Sequence, residues 1–239
     1  MAADPARRLA LVTGASAGLG AAFARAYAER GLDVALVARR ADRLATLAAE
    51  LAASCGVEAI AIPADLAGWE AHVPVIEALE ARGREVDVLV NNAGFGIPQS
   101  FTSVPWSRQR DFLMTMAVNA CGLAYDVIPG MLRRGRGAII NVASMAAFSP
   151  GVAGNTLYPG VKSLALKFSQ SLDGEYRARG IRVTAVVPGF VRTEFGQAAG
   201  VQHIMEREPR LFWSSPEQVV EATIRANERG RVVVIPGWH

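Results

Sequence analysis

The chain has 239 residues, 51% of them hydrophobic and 20% charged, the balance of a soluble globular protein and far from a disordered or collagen-like composition. Its net charge is only +3, and the arginines are dispersed without a basic cluster, which argues against a nucleic-acid partner. Cys55 and Cys121 fit neither a disulfide framework nor a metal spacing. The opening MAADPARRLALVTG carries no signal-peptide pattern and no bilayer-length apolar run, so a cytoplasmic protein without membrane contact is expected.

Apolar runs and helical stretches alternate along the chain. Leu9 to Thr13 is a continuous apolar run that enters a glycine-rich turn, and Leu19 to Arg30 follows as an alanine-rich helix closed by Gly31. Val34 to Ala38 leads to a helix over Asp42 to Ala53, and Val57 to Ile62 to a helix around Trp69 to Arg82. Further strands are predicted at Val86 to Val90, Ala138 to Val142, Ile181 to Val187 and Val232 to Ile235. Two long helices lie between them, roughly Ser107 to Arg134 and Thr156 to Arg179.

Strands without polar alternation belong in a sheet covered on both faces, and intervening helices require parallel pairing through right-handed crossovers. The fold class is therefore α/β: a doubly wound, Rossmann-like parallel sheet of seven strands with helices on both faces, one domain over residues 1–239. Such sheets bind ligands at the carboxyl edge, where strand order reverses. The least regular segment, 188–216, is expected to cover that edge as a substrate lid.

Residues 13–20 read TGASAGLG, with Gly14, Gly18 and Gly20 between a strand and a helix start. Glycine lets the backbone approach a pyrophosphate, and the helix N-terminus offers free N–H groups and a positive dipole end. An NAD site usually has Asp or Glu at the end of the second strand, for the ribose hydroxyls. Here Ala38 is followed by Arg39 and Arg40. A guanidinium binds a 2′-phosphate that a carboxylate would repel, so NADP(H) is favoured over NAD(H), with Arg39 as the reader, Ser16 as an added hydroxyl donor and Arg40 as a solvated neighbour.

Tyr158 and Lys162, four apart at the start of a helix, share one face. A nearby ammonium favours the tyrosine phenolate, which fits Tyr158 for proton exchange with an alcohol or carbonyl oxygen. Ser144, just after a strand, projects from the carboxyl edge. Pro159 is tolerated only in the first helical turn, so the helix must begin close to Tyr158, with Asn155 or Thr156 as the N-cap.

Together TGASAGLG, Asp65, NNAG at 91–94, Asn119, Ser144, YPGVK at 158–162 and PGFVRT at 188–193 resemble the short-chain dehydrogenase/reductase family, in order and spacing over nearly the whole chain. The resemblance implies a catalytic set in which Tyr158 is the general acid/base, Ser144 orients the carbonyl, Lys162 holds the nicotinamide ribose and lowers the tyrosine pKa, and Asn119 anchors a proton-relay water. It also implies cofactor contacts from Gly14, Ser16, Gly18, Leu19, Gly20 and Arg39, from Asp65 and Leu66 near the adenine, from Asn92, Ala93 and Gly94 near the adenosine ribose, and from Pro188, Gly189, Val191 and Thr193 around the nicotinamide. Asn91 reads as a brace between strands.

A pocket lined by Met145, Ala146, Phe148, Phe190 and Phe195, with residues near Leu211 to Trp213, is apolar. It favours a hydrophobic ketone or aldehyde over a free sugar. Arg192 has two readings, a solvent-facing side chain or a contact for an anionic substrate group. The family resemblance implies a homodimer or homotetramer through the two long helices, and no metal is expected, His72, His203 and His239 having no ligand spacing. The expected function is carbonyl reduction or alcohol oxidation. The competing readings are a catalytically silent nucleotide-binding regulator and a nucleotide-sugar epimerase or dehydratase, which would need a larger C-terminal domain than 239 residues leave room for.

Overall fold

The computed structural model describes residues 7–151, 153–198 and 213–237. Seven parallel strands form the central sheet: β1 (Leu9–Thr13), β2 (Asp33–Ala38), β3 (Ala59–Pro63), β4 (Val88–Asn91), β5 (Gly137–Val142), β6 (Ile181–Val186) and β9 (Val233–Val234), in the order β3-β2-β1-β4-β5-β6-β9. The chain steps outward from β1 through β2 to β3, then crosses back to place β4 on the other side of β1. The reversal opens a crevice at the carboxyl ends of β1 and β4.

The strands are mostly apolar because alternate residues enter two separate cores. Ala10, Val12, Leu36, Val90 and Ile140 pack on one face against α1 (Gly18–Glu29) and α8 (Pro216–Glu228). Leu9, Leu11, Val37, Leu89 and Ile139 pack on the other against α3 (Val73–Glu80) and α5 (Asn119–Arg134). Burying such a side chain contributes about 1.5–3 kcal/mol, so a polar residue at either parity is costly. α2 (Ala41–Cys55) presents Leu44, Leu47 and Leu51 to the first core and ends at Gly56, whose φ of 65° closes the helix in the left-handed region.

Three predicted elements differ in detail. The helix expected from Trp69 begins at Val73: Glu70 takes a positive φ of 50°, and the His72 N–H donates to Asn119 Oδ1 instead of entering a helical turn. The long helix from Ser107 is α4 (Trp106–Leu113), a π-helical turn (Met114–Val118) and α5, a break that composition does not signal. α6 (Tyr158–Tyr176) starts where Pro159 requires. Its N-cap, however, is Leu157, without a side-chain bond, and neither Asn155 nor Thr156 fills that position.

The ends of the expected lid are tied together: β7 (Phe190–Val191) pairs in parallel with β8 (Trp213–Ser214), and a short helix, α7 (Phe195–Ala198), follows β7. Leu211, Phe212, His203 and His239 lie outside the described residues. Helical run 106–134 is 29 residues long and by composition alone apolar enough to cross a bilayer, but half of its most apolar window is buried inside the protein.

Candidate active site

The glycine turn is built to be close-packed and uncapped. Gly14 and Gly18 have φ of 66° and 55°, where a side chain is strained. A Cβ at Gly20 would lie 2.2 Å from the Gly14 carbonyl oxygen, so residue 20 admits nothing larger. The N-cap of α1 is Ala17, which offers no side-chain acceptor, leaving the first helical N–H groups free for an anion. The turn is held from beneath. Asn92 Nδ2 donates to the Thr13 carbonyl at 2.8 Å, while Thr13 Oγ1 accepts the N–H groups of Asn92 and Ala93 at 2.9 and 3.0 Å. Asn92 and Ala93 thus fix the turn's shape. Gly94 gives room to the Met116 side chain.

At the end of β2 the geometry departs from expectation. Arg40, read as a solvated neighbour, donates from Nε and Nη2 to Ser16 Oγ at 3.2 and 2.8 Å. Arg39 is exposed and has no hydrogen bond or ion pair among the described residues. Ser16 is therefore joined to Arg40, on the rim of the glycine turn. Ala38, at the strand end, brings no carboxylate. Asp65 is exposed and accepts the Ala67 N–H, next to buried Leu66.

Ser144, Tyr158 and Lys162 meet at the carboxyl edge of β5. Ser144 is extended (φ −171°), and its Oγ caps a 3₁₀ turn (Met145–Ala147) by accepting the Ala146 N–H at 3.2 Å. The Ser163 hydroxyl reaches back to the Ala147 carbonyl at 2.8 Å, and the Met145 N–H to the Pro188 carbonyl at 3.1 Å. The ends of β5 and β6 and the first turn of α6 are thereby locked together. Lys162 is buried, donates to the Val142 carbonyl at 2.7 Å, and holds Nζ 5.5 Å from the Tyr158 ring centre.

Burial pushes the Lys162 ammonium down to about 8, and burial raises the Tyr158 phenol above its ordinary value, the Ser144 hydroxyl acting the other way. Burial thus sets the direction at Tyr158, opposite to the lowering expected from Lys162. Behind the lysine lies a cavity of about 20 Å³, lined by Asn91, Asn141, Thr115 and Lys162 among others. That is room for one water. Asn91 Nδ2 bonds Asn141 and the Ala120 carbonyl, both at 3.0 Å, which is the brace expected of it, while its Oδ1 is buried without a partner.

Asn119 faces elsewhere. Its Nδ2 donates to the Leu66 and Gly68 carbonyls at 2.8 and 2.9 Å, and its Oδ1 accepts the His72 N–H and lies 2.8 Å from His72 Nδ1. The side chain is fully occupied in fixing residues 66–72, so any water it anchors must use the backbone. The Tyr158 ring lies between Phe112 and Phe195, at 6.5 and 6.4 Å, and Phe95 packs edge-on against Phe112. Phe95 and Phe112 were not among the expected pocket residues, because their segment has no motif. Phe190 packs on Trp213 at 5.7 Å, whereas Phe148 is exposed. Thr193 approaches Gly18, and Val191 is buried beside it. Arg192 is exposed, and no cluster of metal-binding side chains occurs among the described residues.

A doubly wound sheet with this turn, and with Ser144, Tyr158 and Lys162 at its carboxyl edge, defines a dinucleotide-dependent oxidoreductase architecture. The chain belongs to the short-chain dehydrogenase family, whose pattern matches residues 8–203. A very-long-chain 3-oxoacyl-CoA reductase of Anas platyrhynchos is 35% identical over 219 residues, covering 90% of this chain and 67% of that one. The human inactive hydroxysteroid dehydrogenase-like protein 1 is 32% identical, over 90% of this chain and 63% of its own length. Among solved structures, a short-chain dehydrogenase from Sphingobium yanoikuyae in complex with NADPH superposes with a TM-score of 0.85 at 34% identity, over 97% of this chain and 89% of that one.

Proposed function

We propose that this protein is an NADP(H)-dependent carbonyl reductase for a hydrophobic ketone or aldehyde. The observation that carries the reading is the joint placement of the partly buried Tyr158, the Ser144 hydroxyl and the buried Lys162 ammonium at one strand edge. The cofactor fits the uncapped helix start and the tight turn that Gly14, Gly18 and Gly20 make before it. Gly14, Gly18, Leu19 and Gly20 would hold its pyrophosphate, with Asp65 and Leu66 near the adenine. Pro188, Gly189, Val191 and Thr193 would line the nicotinamide. When bound, the nicotinamide supplies or accepts the hydride. Arg40 on Ser16, with Arg39 beside it, supports the preference for a 2′-phosphate, as does the NADPH-bound relative.

A tyrosine kept protonated by its surroundings is suited to act as an acid. Tyr158 donates its proton to the carbonyl oxygen and Ser144 adds a second hydrogen bond, so negative charge never accumulates unshielded there. The phenolate left on Tyr158 is stabilised by Lys162 and regains its proton from solvent; the small cavity beside Lys162 has room for one relaying water, and Asn119 holds its Leu66 wall through residues 66–72. The rings of Phe195 and Phe190, with Met145 and Ala146, form an apolar wall for the substrate, and buried Phe112 backs the Tyr158 ring. The acyl-CoA reductase relative is consistent with a substrate of that character. Val118 in the π-helical turn, Tyr125 on α5 and Leu164 on α6 are exposed apolar side chains, which supports a homo-oligomer.

The test is calorimetric titration with NADPH and NADH, then a carbonyl panel followed by loss of the reduced nicotinamide absorbance. Tighter NADPH binding with turnover of an apolar ketone or aldehyde is expected. Binding with no turnover across the panel would favour the silent regulator.

A further inference from the structure

The guanidinium that meets Ser16 is shared with a carboxylate from the opposite wall. Arg40 spends Nε and Nη2 on Ser16, while its Nη1 lies 3.6 Å from Glu194 Oε2. Arg43, one turn further along α2, donates from Nη1 to both Glu194 oxygens, at 3.1 and 2.8 Å. Glu194 comes from the loop between β7 and α7 and follows Thr193, the residue packed over Gly18. The two guanidiniums hold the Glu194 carboxyl below its ordinary range, with Arg43 the stronger influence. A fixed anion thus occupies the cationic rim that a 2′-phosphate would need.

We propose that Glu194 is an intramolecular competitor for the cofactor's 2′-phosphate, its carboxylate taking the place of that phosphate on the Arg40–Arg43 pair. The inference rests on the 2′-phosphate reading of Ser16 and Arg40 given above. An NADPH phosphate brings up to two negative charges and three acceptor oxygens, so it draws Arg40 away from a singly charged carboxylate, and the two anions repel each other across the rim. NADH carries hydroxyls at that place, neither competes for arginine nor repels Glu194, and leaves the clasp closed. Glu194 therefore lowers the discrimination between the two cofactors below what the arginines alone would give. Displacing it also releases one tie between α2 and the loop that bears Thr193.

All three side chains are about half exposed, so the effect is modest and screened by salt. The experiment is titration of the full chain and its Glu194→Gln variant with NADPH and NADH at low and high ionic strength. Glutamine keeps the shape and an acceptor oxygen but not the charge. The expected result is NADPH binding about threefold tighter in the variant with NADH unchanged, and a smaller difference at high salt. An unchanged ratio of the two affinities, or equal shifts for both cofactors, overturns the proposal. The wild-type ratio judges the NADPH reading separately. If wild type shows no preference and Glu194→Gln creates one, Glu194 is the competitor, the arginines do read the 2′-phosphate, and only the wild-type preference for NADPH fails.

Discussion

The two edges of the sheet bury charge in opposite ways. At the amino edge, Asp33 is buried and receives Arg84 Nη2 at 2.7 Å, Arg7 at 3.4 Å and the Glu58 N–H at 2.7 Å, while Arg84 also pairs with Glu58. Asp87, likewise buried, accepts the Leu9 N–H at 3.1 Å and lies within 3.5 Å of Arg134 and Arg136. At the carboxyl edge, Lys162 is also buried but, among the described residues, donates to a carbonyl oxygen and pairs with no carboxylate, and its ammonium is held down to about 8. Paired charge serves the fold, and a buried charge without a counterion marks a candidate for chemistry, the role proposed above for Lys162.

The sharpest way to break that comparison is at Tyr158. Tyr158→Phe removes the acid and leaves the ring between Phe112 and Phe195. Turnover should fall by about 10²–10⁴-fold, with NADPH affinity and thermal midpoint nearly unchanged. Steady-state kinetics and calorimetry on the same preparation check this, and wild-type turnover in the variant would take Tyr158 out of the mechanism. The amino edge answers oppositely. Arg84→Ala leaves Asp33 and Glu58 short of a buried partner and should cost about 3–5 kcal/mol of stability in denaturant unfolding. The surviving folded fraction should keep the wild-type specific activity.

The same contrast explains what the sequence could and could not tell. The glycine turn, Ser144, Tyr158 and Lys162 were legible because their chemistry demands particular residues at fixed spacings beside apolar strands. The seven-stranded parallel sheet followed from the apolar strands of two-sided burial and the helices between them, whereas the strand order was not read from the sequence. What stayed hidden depends on partners distant in the chain. The hold of Thr13 on residues 92 and 93, the complete use of the Asn119 side chain on residues 66–72 and the late start of α3 all arise from contacts more than forty residues apart. Arg39 and Arg40 are indistinguishable by type. Only the turn of the chain after β2 decides which one reaches Ser16.

A smaller effect sharpens the reading of Lys162. Its pKa is lowered on folding, from 10.5 to about 8, so the unfolded chain binds more protons between those values. The penalty for burying the charge is complete below about pH 8 and fades toward pH 10.5. Lys162→Met should therefore stabilise the protein by about 1–3 kcal/mol at neutral pH, after losing the bond to the Val142 carbonyl. The gain should shrink as pH rises. The comparison belongs between about pH 7 and 9.5, before Tyr158, whose shift has the opposite sign, begins to titrate. Destabilisation at neutral pH would mean that Lys162 is balanced by a partner after all, and the contrast between the edges would fail.

The smallest expected effect separates two neighbouring arginines. Arg40 meets Ser16 through two donors, whereas Arg39, equally exposed, has no partner among the described residues, so Arg40→Ala should weaken NADPH binding about tenfold and NADH binding hardly at all. Arg39→Ala should have a lesser effect, confined to the screened attraction of one more cation for the phosphate. Raising the ionic strength distinguishes them, since a direct charge-assisted bond persists where a diffuse attraction is lost. A tenfold loss in Arg39→Ala with little change in Arg40→Ala would return the 2′-phosphate to Arg39. The Arg40–Ser16 contact would then be a brace for the glycine turn.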